Sequence, residues 1–318
     1  MSGTQILTPA ASYDFVEDLC ILTCYFNPNR YKSKKTNFDR FIRPIKESGL
    51  SYFIIECAFD GTNYELPASD NVIRVRSNAI LWQKERLINV GLKQLPPRLS
   101  KFVWLDSDIL FCNPAWAKET SVHLDSYPVI QPYDRAIRLP KNNVNFSGDG
   151  LVYNGFGAIY NRYPNVMVKG DFELHGHTGF AWAGQTEVFR EDGLYDACLS
   201  GGADHLMAHA FCGDWHSKCL KRVFLDNHTY FSHFENWSRK MYAKVKGRVG
   251  YTAGTIMHLW HGNHSNRRYT ENSAFLNETS FDPVNDLLIN ETGCWEIRAD
   301  KKSLMNWTVD YIAERKED

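Results

Sequence analysis

Lys101-Phe102-Val103-Trp104-Leu105-Asp106-Ser107-Asp108-Ile109-Leu110-Phe111 is the stretch on which the rest of the reading turns. Phe102 to Leu105 is a short apolar run of the kind that forms a strand buried on both faces. Two carboxylates one residue apart follow it, and apolar residues resume at once. Buried charge is costly unless something pairs with it. An acidic pair between core segments therefore calls for a counter-charge, and a hard divalent cation holding a diphosphate suits it best. The remaining chain then has to supply a base pocket, a further metal ligand and a catalytic group.

Working outward, Leu19 to Phe26 reads as a first strand, ended by the turn residues Asn27-Pro28-Asn29. Phe38, Phe41, Ile42 and Ile45 share one face of an amphipathic helix, in which Pro44 predicts a kink or an early stop. Tyr52 to Ala58 and Val72 to Val75 read as strands, and Leu81 to Leu95 as a helix stopped by Pro96-Pro97. This order, with short joins, predicts an α/β fold with mostly parallel strands, whose ligands collect at the strands' carboxyl ends. Beyond Pro128, Val129 to Gln131, Phe156 to Tyr160 and Phe180 to Ala183 read as short strands, and Lys141 to Gly150 as a mobile polar loop. Ala203 to Cys212 reads as a helix and Ile256 to Trp260 as a late strand.

Of the 318 residues 43% are hydrophobic and 14% aromatic, which excludes a largely disordered chain. Thirty-six basic residues balance 37 acidic ones, so no global field points to nucleic acid or an anionic membrane. No apolar run approaches the roughly 18 residues needed to span a bilayer. The polar start, Met1 to Asp14, lacks the layout of a signal peptide. The eight cysteines follow no paired framework, so they are expected to be reduced core thiols in a cytosolic (cytoplasmic) protein.

At the acidic pair the chain resembles glycosyltransferases of the GT-A fold, which carry an Asp-x-Asp motif. Three further pieces are similar to the β-1,4-galactosyltransferase, polypeptide N-acetylgalactosaminyltransferase and chondroitin polymerase group. They are Trp82 to Gly91; Gly179-Phe180-Ala181-Trp182-Ala183; and Gly193-Leu194-Tyr195-Asp196 with Gly201-Gly202-Ala203-Asp204. The resemblance covers roughly residues 18 to 270, and the order of the pieces is more specific than any one of them. It implies a GT-A layout: a tail over 1–17, a nucleotide-sugar-binding half over 18–140 and an acceptor-side, catalytic half over 141–270. An extension over 271–318 is expected to wrap the unit and end in a solvated, charged tail.

The resemblance also implies roles. Asp108 would bind manganese (or magnesium) directly, and Asp106 would bind it or hold the donor ribose. A late histidine would complete the site. His261, before Gly262, is the first choice and His258 the second; strand alternation puts the two on opposite faces, so both can bind only if the chain bends after Trp260. Arg267 and Arg268 could clamp phosphate oxygens from a mobile loop, and Lys84 would face the nucleotide. Thr23, Tyr25, Phe26 and Glu56 are candidates for the base and ribose pocket by their position at strand ends. Asp204 is the candidate base for the acceptor hydroxyl, with Glu187, Glu191 and Asp192 as rivals and a helix cap as the structural alternative. Ala203 stands where the resembling group carries glutamate, which leaves the sugar preference open. Gly202 and Trp182 would line the acceptor or sugar site.

The implied partners are a nucleotide-sugar donor, expected to be UDP-linked, and a hydroxyl-bearing acceptor: a glycan, a protein, a small molecule or a modified DNA base. The local basic cluster Arg30, Lys32, Lys34 and Lys35 reads as a solvated helix start. The alternative function is a catalytically silent relative that binds glycans or nucleotides. A nucleotidylyltransferase is disfavoured because Thr23 to Asn29 holds no glycine. His205, His209, Cys212, His216 and Cys219 could hold zinc, but their spacing matches no zinc motif, and Met207 and Phe211 suggest an ordinary packed helix.

Overall fold

The computed structural model of the chain describes residues 6–166 and 174–318. β1 (Leu19–Tyr25) is buried along its whole length. Its even-numbered side chains Cys20, Leu22 and Cys24 enter one core, while Leu19, Ile21 and Tyr25 enter a second core on the opposite face. β4 (Lys101–Leu105) splits the same way, Phe102 and Trp104 to the first core and Val103 and Leu105 to the second. Strands without a polar face have to sit inside a sheet covered on both sides, and these two pair with each other in parallel.

β2 (Ser51–Phe59) and β3 (Val72–Ser77) extend the parallel set beyond β1. On the other side of β4 lies β9 (Ala181–Gln185), antiparallel, followed by β6 (Val129–Gln131) and β10 (Val249–Tyr251). The sheet therefore runs β10-β6-β9-β4-β1-β2-β3. A second sheet of β5 (Ile109–Phe111), β11 (Thr255–His258), β7 (Arg135–Arg138) and β8 (Leu151–Asn154) starts directly after the acidic pair. The expected α/β fold with a mostly parallel central sheet is the one observed.

Four local expectations need correction. Phe156 to Tyr160 lies in a helix, Phe156–Arg162; its two aromatics are one turn apart and stack at 5.9 Å, a helical spacing that a short apolar run conceals. Pro44 does not stop the helix Lys32–Glu47, which runs on through it. The segment 141–150 is tied down, because Leu7 and Phe146 exchange both backbone hydrogen bonds at 2.9 Å. The C-terminal tail is not solvated: Arg315 and Glu317 are buried, and the Asp318 carboxylate accepts from the Lys32 and Ser33 amides at the start of that first helix.

The helix Lys84–Leu92 lies on β1 and β2, with all but one of its residues buried. Two of its polar side chains meet at one neighbouring segment. Arg86 and Asn89 donate to Asp196 at 3.1 and 2.9 Å, and Asn89 both donates to and accepts from the Leu194 backbone. Two of the pieces singled out in the sequence therefore hold each other in place.

A Cβ on Gly91 of this helix would stand 2.6 Å from Ile55 Cδ1. The clash costs about 1–3 kcal/mol, against roughly 1 kcal/mol of helix propensity regained. Gly91→Ala is therefore expected to lower stability by about 1 kcal/mol, read as a lower urea midpoint; an unchanged or higher midpoint would mean that Ile55 yields freely.

Candidate functional site

Side-chain parity carries β4 into the site. Phe102, Trp104 and Asp106 fall on one face, the face covered by the helices Lys84–Leu92 and Ala203–Cys212. Lys84 opens the first of these helices, and Asp204 lies in the first turn of the second. The Lys84 ammonium, nearly buried, donates to Asp106 Oδ1 at 2.9 Å and to Asp204 Oδ2 at 2.6 Å, and lies 3.4 Å from Glu85. Burial alone would lower the Lys84 value, but Asp106, Asp204 and Glu85 carry it well above the ordinary lysine range. Asp204 makes no cap for its own helix, which starts at Gly202 in the left-handed region. Its other oxygen faces Trp104 Nε1 at 3.4 Å, and burial raises its carboxyl although Lys84 opposes the shift.

After Ser107 the chain turns into β5, which pairs antiparallel with β11 so that His258 stands opposite Ile109. The strand ends there, and Leu259 N donates to the Asp108 carbonyl at 2.8 Å. This bend overrides strand alternation and brings both histidines to one carboxylate. His261 Nε2 lies 3.2 Å from Asp108 Oδ2, His258 Nε2 3.6 Å from Asp108 Oδ1, and the two Nε2 atoms are 2.9 Å apart. Asp108 Oδ1 is buried without a hydrogen bond among the described residues, and burial raises its carboxyl, with His261 opposing. Burial also drives the His258 imidazole far below its usual value, with His261 adding to the effect, so it stays neutral.

An orphaned carboxylate oxygen beside two imidazole nitrogens fits a divalent transition cation of the manganese type. Asp108, His258 and His261 are the residues that would hold it. Glu317 stands behind them, its Oε1 3.4 Å from His261 Nδ1, and the Arg267 guanidinium, which can only donate, lies closer to the same Nδ1 at 2.6 Å. Arg267 and Arg315 donate to the same Glu317 oxygen at 2.9 and 2.7 Å. Burial raises the Glu317 carboxyl, but Lys34, His261 and Arg267 together hold it far below its ordinary range.

A cleft opens in front of these groups, lined by Phe26, Lys34, Trp82, Lys84, Asp106 and Arg315 among others. Lys34 lies 4.4 Å over the Phe26 ring and Arg315 4.5 Å over Trp82, so Lys34 faces the cleft rather than bulk solvent. Arg315, Glu317 and Trp82 belong to the site without having been named for it from sequence; only the aromatic-flanked charge of Trp82-Gln83-Lys84 offered a signal.

Several expected residues lie elsewhere. Thr23 is buried inside the sheet, its hydroxyl donating to the Leu105 carbonyl at 3.0 Å. Tyr25 and Glu56 line a separate small cavity at the ends of β1 and β2. There Tyr25 donates to Glu65, and Glu56 accepts the Glu65 and Leu66 amides at 2.6 and 2.8 Å. Trp182 offers no sugar platform: it is fully buried, stacked on Trp104, and its indole N–H donates to the Thr178 carbonyl. Arg268 points outward to Glu314, and Arg267 is locked on Glu317 rather than carried on a free loop. Glu187 and Glu191 are exposed, and Asp192 pairs with Lys244 at 2.6 Å. Gly202 flanks Asp204 with φ at +86° and open space where a Cβ would be. Ala203 is completely buried.

No family model matches the chain, and no curated protein matches it in sequence. Among solved structures, the catalytic domain of Drosophila β1,4-galactosyltransferase 7, in complex with xylobiose, aligns over 92% of this chain and 99% of its own. The identity is 12% and the TM-score 0.41. A mutant of that enzyme was solved with manganese, UDP-Gal and xylobiose. Mannosyl-3-phosphoglycerate synthase from Rubrobacter xylanophilus aligns over 92% of this chain and 94% of its own, at 10% identity and a TM-score of 0.40. A 4-diphosphocytidyl-2C-methyl-D-erythritol synthase from Anaerococcus prevotii aligns over 85% and 99%, at 12% identity and a TM-score of 0.31. These are matches to GT-A glycosyltransferases and to a nucleotidyl-transferring enzyme, at low identity.

Two outcomes test the electrostatics. Lys84→Met leaves three carboxylates around an apolar side chain and should cost about 3 kcal/mol or more. Manganese should then raise the thermal midpoint of the variant more than that of the wild type; equal midpoints without metal would show that the ammonium holds nothing together. His177 is pushed down to about 3 by burial, with Arg138, His264 and His175 adding to the shift. Its contribution to stability is complete above its unfolded value near 6.5 and is lost as pH falls from there towards 3. Urea midpoints should therefore drop over that window, and less steeply in His177→Gln.

Proposed function

We propose that the chain is a metal-dependent glycosyltransferase of the GT-A type, moving a sugar from a nucleoside diphosphate, UDP first among the candidates, to an acceptor hydroxyl. One observation carries this reading: Asp108, His258 and His261 converge with their ligand atoms within 4.8 Å of one another, at the carboxyl end of β4, beside the cleft that Lys84 and Asp106 also line. Ligands gather at such strand ends in open α/β sheets. A cytoplasmic setting belongs to the same reading, and the cysteines, all eight of them free, are compatible with it.

A bound manganese ion would supply charge neutralisation for the departing diphosphate. The chain's own groups do the rest. Lys84, Lys34 and Arg315 place positive charge along the cleft, where phosphate oxygens would lie. The Trp82 indole N–H is buried with no hydrogen-bond partner among the described residues, and a donor sugar or ribose oxygen could accept from it. Asp204, raised by burial yet held by Lys84, is the group that would take the acceptor's proton at Oδ2. A diphosphate competing for the Lys84 ammonium would release it for that role. Inversion at the anomeric carbon follows if the acceptor approaches from the Asp204 side, opposite the diphosphate.

Titration calorimetry with UDP should show binding that requires manganese and that disappears in Asp108→Asn. Mass-spectrometric screening of nucleotide-sugar donors should then show hydrolysis or transfer. Asp204→Asn should lower turnover by about 10²-fold or more while leaving UDP binding within a few-fold. Metal-dependent UDP binding without turnover of any donor would replace the enzyme by a silent nucleotide-binding relative, and no binding of any nucleoside diphosphate would end both readings.

A further inference from the structure

Behind the helix that carries Asp204 lies a second cluster of ligand-type side chains, used by nothing described above. We infer that His175, His205, His209 and Cys219 form a structural zinc site. The four residues are buried, and one ligand atom from each lies within 4.8 Å of all the others. His205 and His209 are one turn apart on the helix Ala203–Cys212, so they share a face. Gly213, left-handed at φ +75°, ends that helix and turns the chain back. A Cβ there would meet Tyr242 at 2.7 Å, so the turn is built for glycine. The next helix, Lys218–Phe224, then delivers Cys219.

The detail matches zinc chemistry at several independent points. Cys219 Sγ lies 3.5 Å from His175 Nε2. Tetrahedral zinc with Zn–N and Zn–S bonds of about 2.05 and 2.3 Å places such a pair about 3.5 Å apart. His209 Nδ1 bonds Asp214 Oδ2 at 2.5 Å, and His175 Nδ1 bonds the Gly176 carbonyl at 2.9 Å. Both contacts fix the tautomer that leaves Nε2 as a lone-pair donor, as carboxylates and carbonyls behind zinc-binding imidazoles do. His209 Nε2 itself is buried with no hydrogen-bond partner among the described residues. Three imidazoles with ring centroids 4.4–5.3 Å apart make a poor apolar core but a good nitrogen set.

Binding exchanges the Cys219 thiol proton for the cation, and the proton leaves to solvent. The dication, the thiolate and the Asp214 carboxylate behind it then sum to neutrality. Imidazole with thiolate selects zinc over the oxygen-preferring manganese of the first site, and four protein ligands with full burial leave no open position for catalysis. The ion would staple the strand-side segment at His175 to the two helices. It would fix the turn of helix on which Asp204 sits, because His205 is its immediate neighbour. The five-residue spacing read from sequence matches no zinc motif because Cys212 and His216 lie outside the cluster, while His175, far upstream, belongs to it.

The test is elemental analysis of the full chain purified without chelators, paired with cobalt substitution. About one zinc per chain is expected, retained in Asp108→Ala and lost in Cys219→Ser. Cobalt in place of zinc should give the intense visible bands of a tetrahedral ion and a thiolate-to-cobalt charge-transfer band in the near ultraviolet. If the wild-type chain carries no zinc and adding cobalt produces no thiolate band, the inference is wrong. It is equally wrong if zinc stays with Cys219→Ser and leaves with Asp108→Ala. Because the spectroscopic readout uses the wild-type chain, poor folding of a variant cannot decide the result, and neither outcome depends on the chain being a glycosyltransferase.

Discussion

The arrangement depends on one buried ammonium. Lys84 faces Asp106, Asp204 and Glu85, so three acids from three parts of the chain share a single positive charge. Each would be costly to bury alone, and no two could approach without a cation between them. The ammonium therefore does structural and chemical work together. It draws the end of β4, the start of one helix and the first turn of another to a common point, and it leaves that point acidic. An acidic excess near a buried lysine is an environment that favours further cations.

The second constraint is register. The pairing of β5 with β11 sets His258 opposite Ile109, and the bond from Leu259 N to the Asp108 carbonyl bends the chain at the next residue. A shift of one residue would turn His258 to the other face and leave Asp108 with His261 alone. The acidic turn thus belongs to two sheets. Its first carboxylate is oriented by the large sheet and its lysine, its second by the small sheet and its histidines. Glu317 then closes the back of the site, gathering Arg267, Arg315 and His261 on one carboxylate.

The sequence showed much of this and concealed the rest for identifiable reasons. β1 and β4 were readable because strands buried on both faces are runs of apolar residues, and the acidic pair was conspicuous against them. Gly201 and Gly202 marked the helix start beside Asp204, because its left-handed entry requires glycine. Trp182 and Thr23 were misplaced because composition does not say which face of a strand meets a cleft. Arg315 and Glu317 sit in a charged C-terminal stretch that reads as solvated by every local criterion, and only tertiary contacts far from it in sequence bury them. Of the His175 cluster, His205, His209 and Cys219 stood together in the sequence, but His175 comes from a segment far upstream that no spacing rule joins to them.

An ion-paired carboxylate is a weak proton acceptor, so the contact between Lys84 and Asp204 stands at first sight against Asp204 as a base. The energies point the other way. At 2.6 Å from an ammonium the carboxylate has a counter-charge that opposes the burial pushing its value up, so the pairing favours its ionised form. A diphosphate offers the same ammonium several oxygens of higher charge, and hydrogen bonds to charged acceptors are the stronger ones. Transfer of Lys84 to the phosphate would strip Asp204 of its counter-charge in a buried site, leaving its long contact with Trp104 against burial and Asp106. On the proposed reading, the basicity of Asp204 would rise when a donor is present, which would couple proton uptake to an occupied cleft through one side chain.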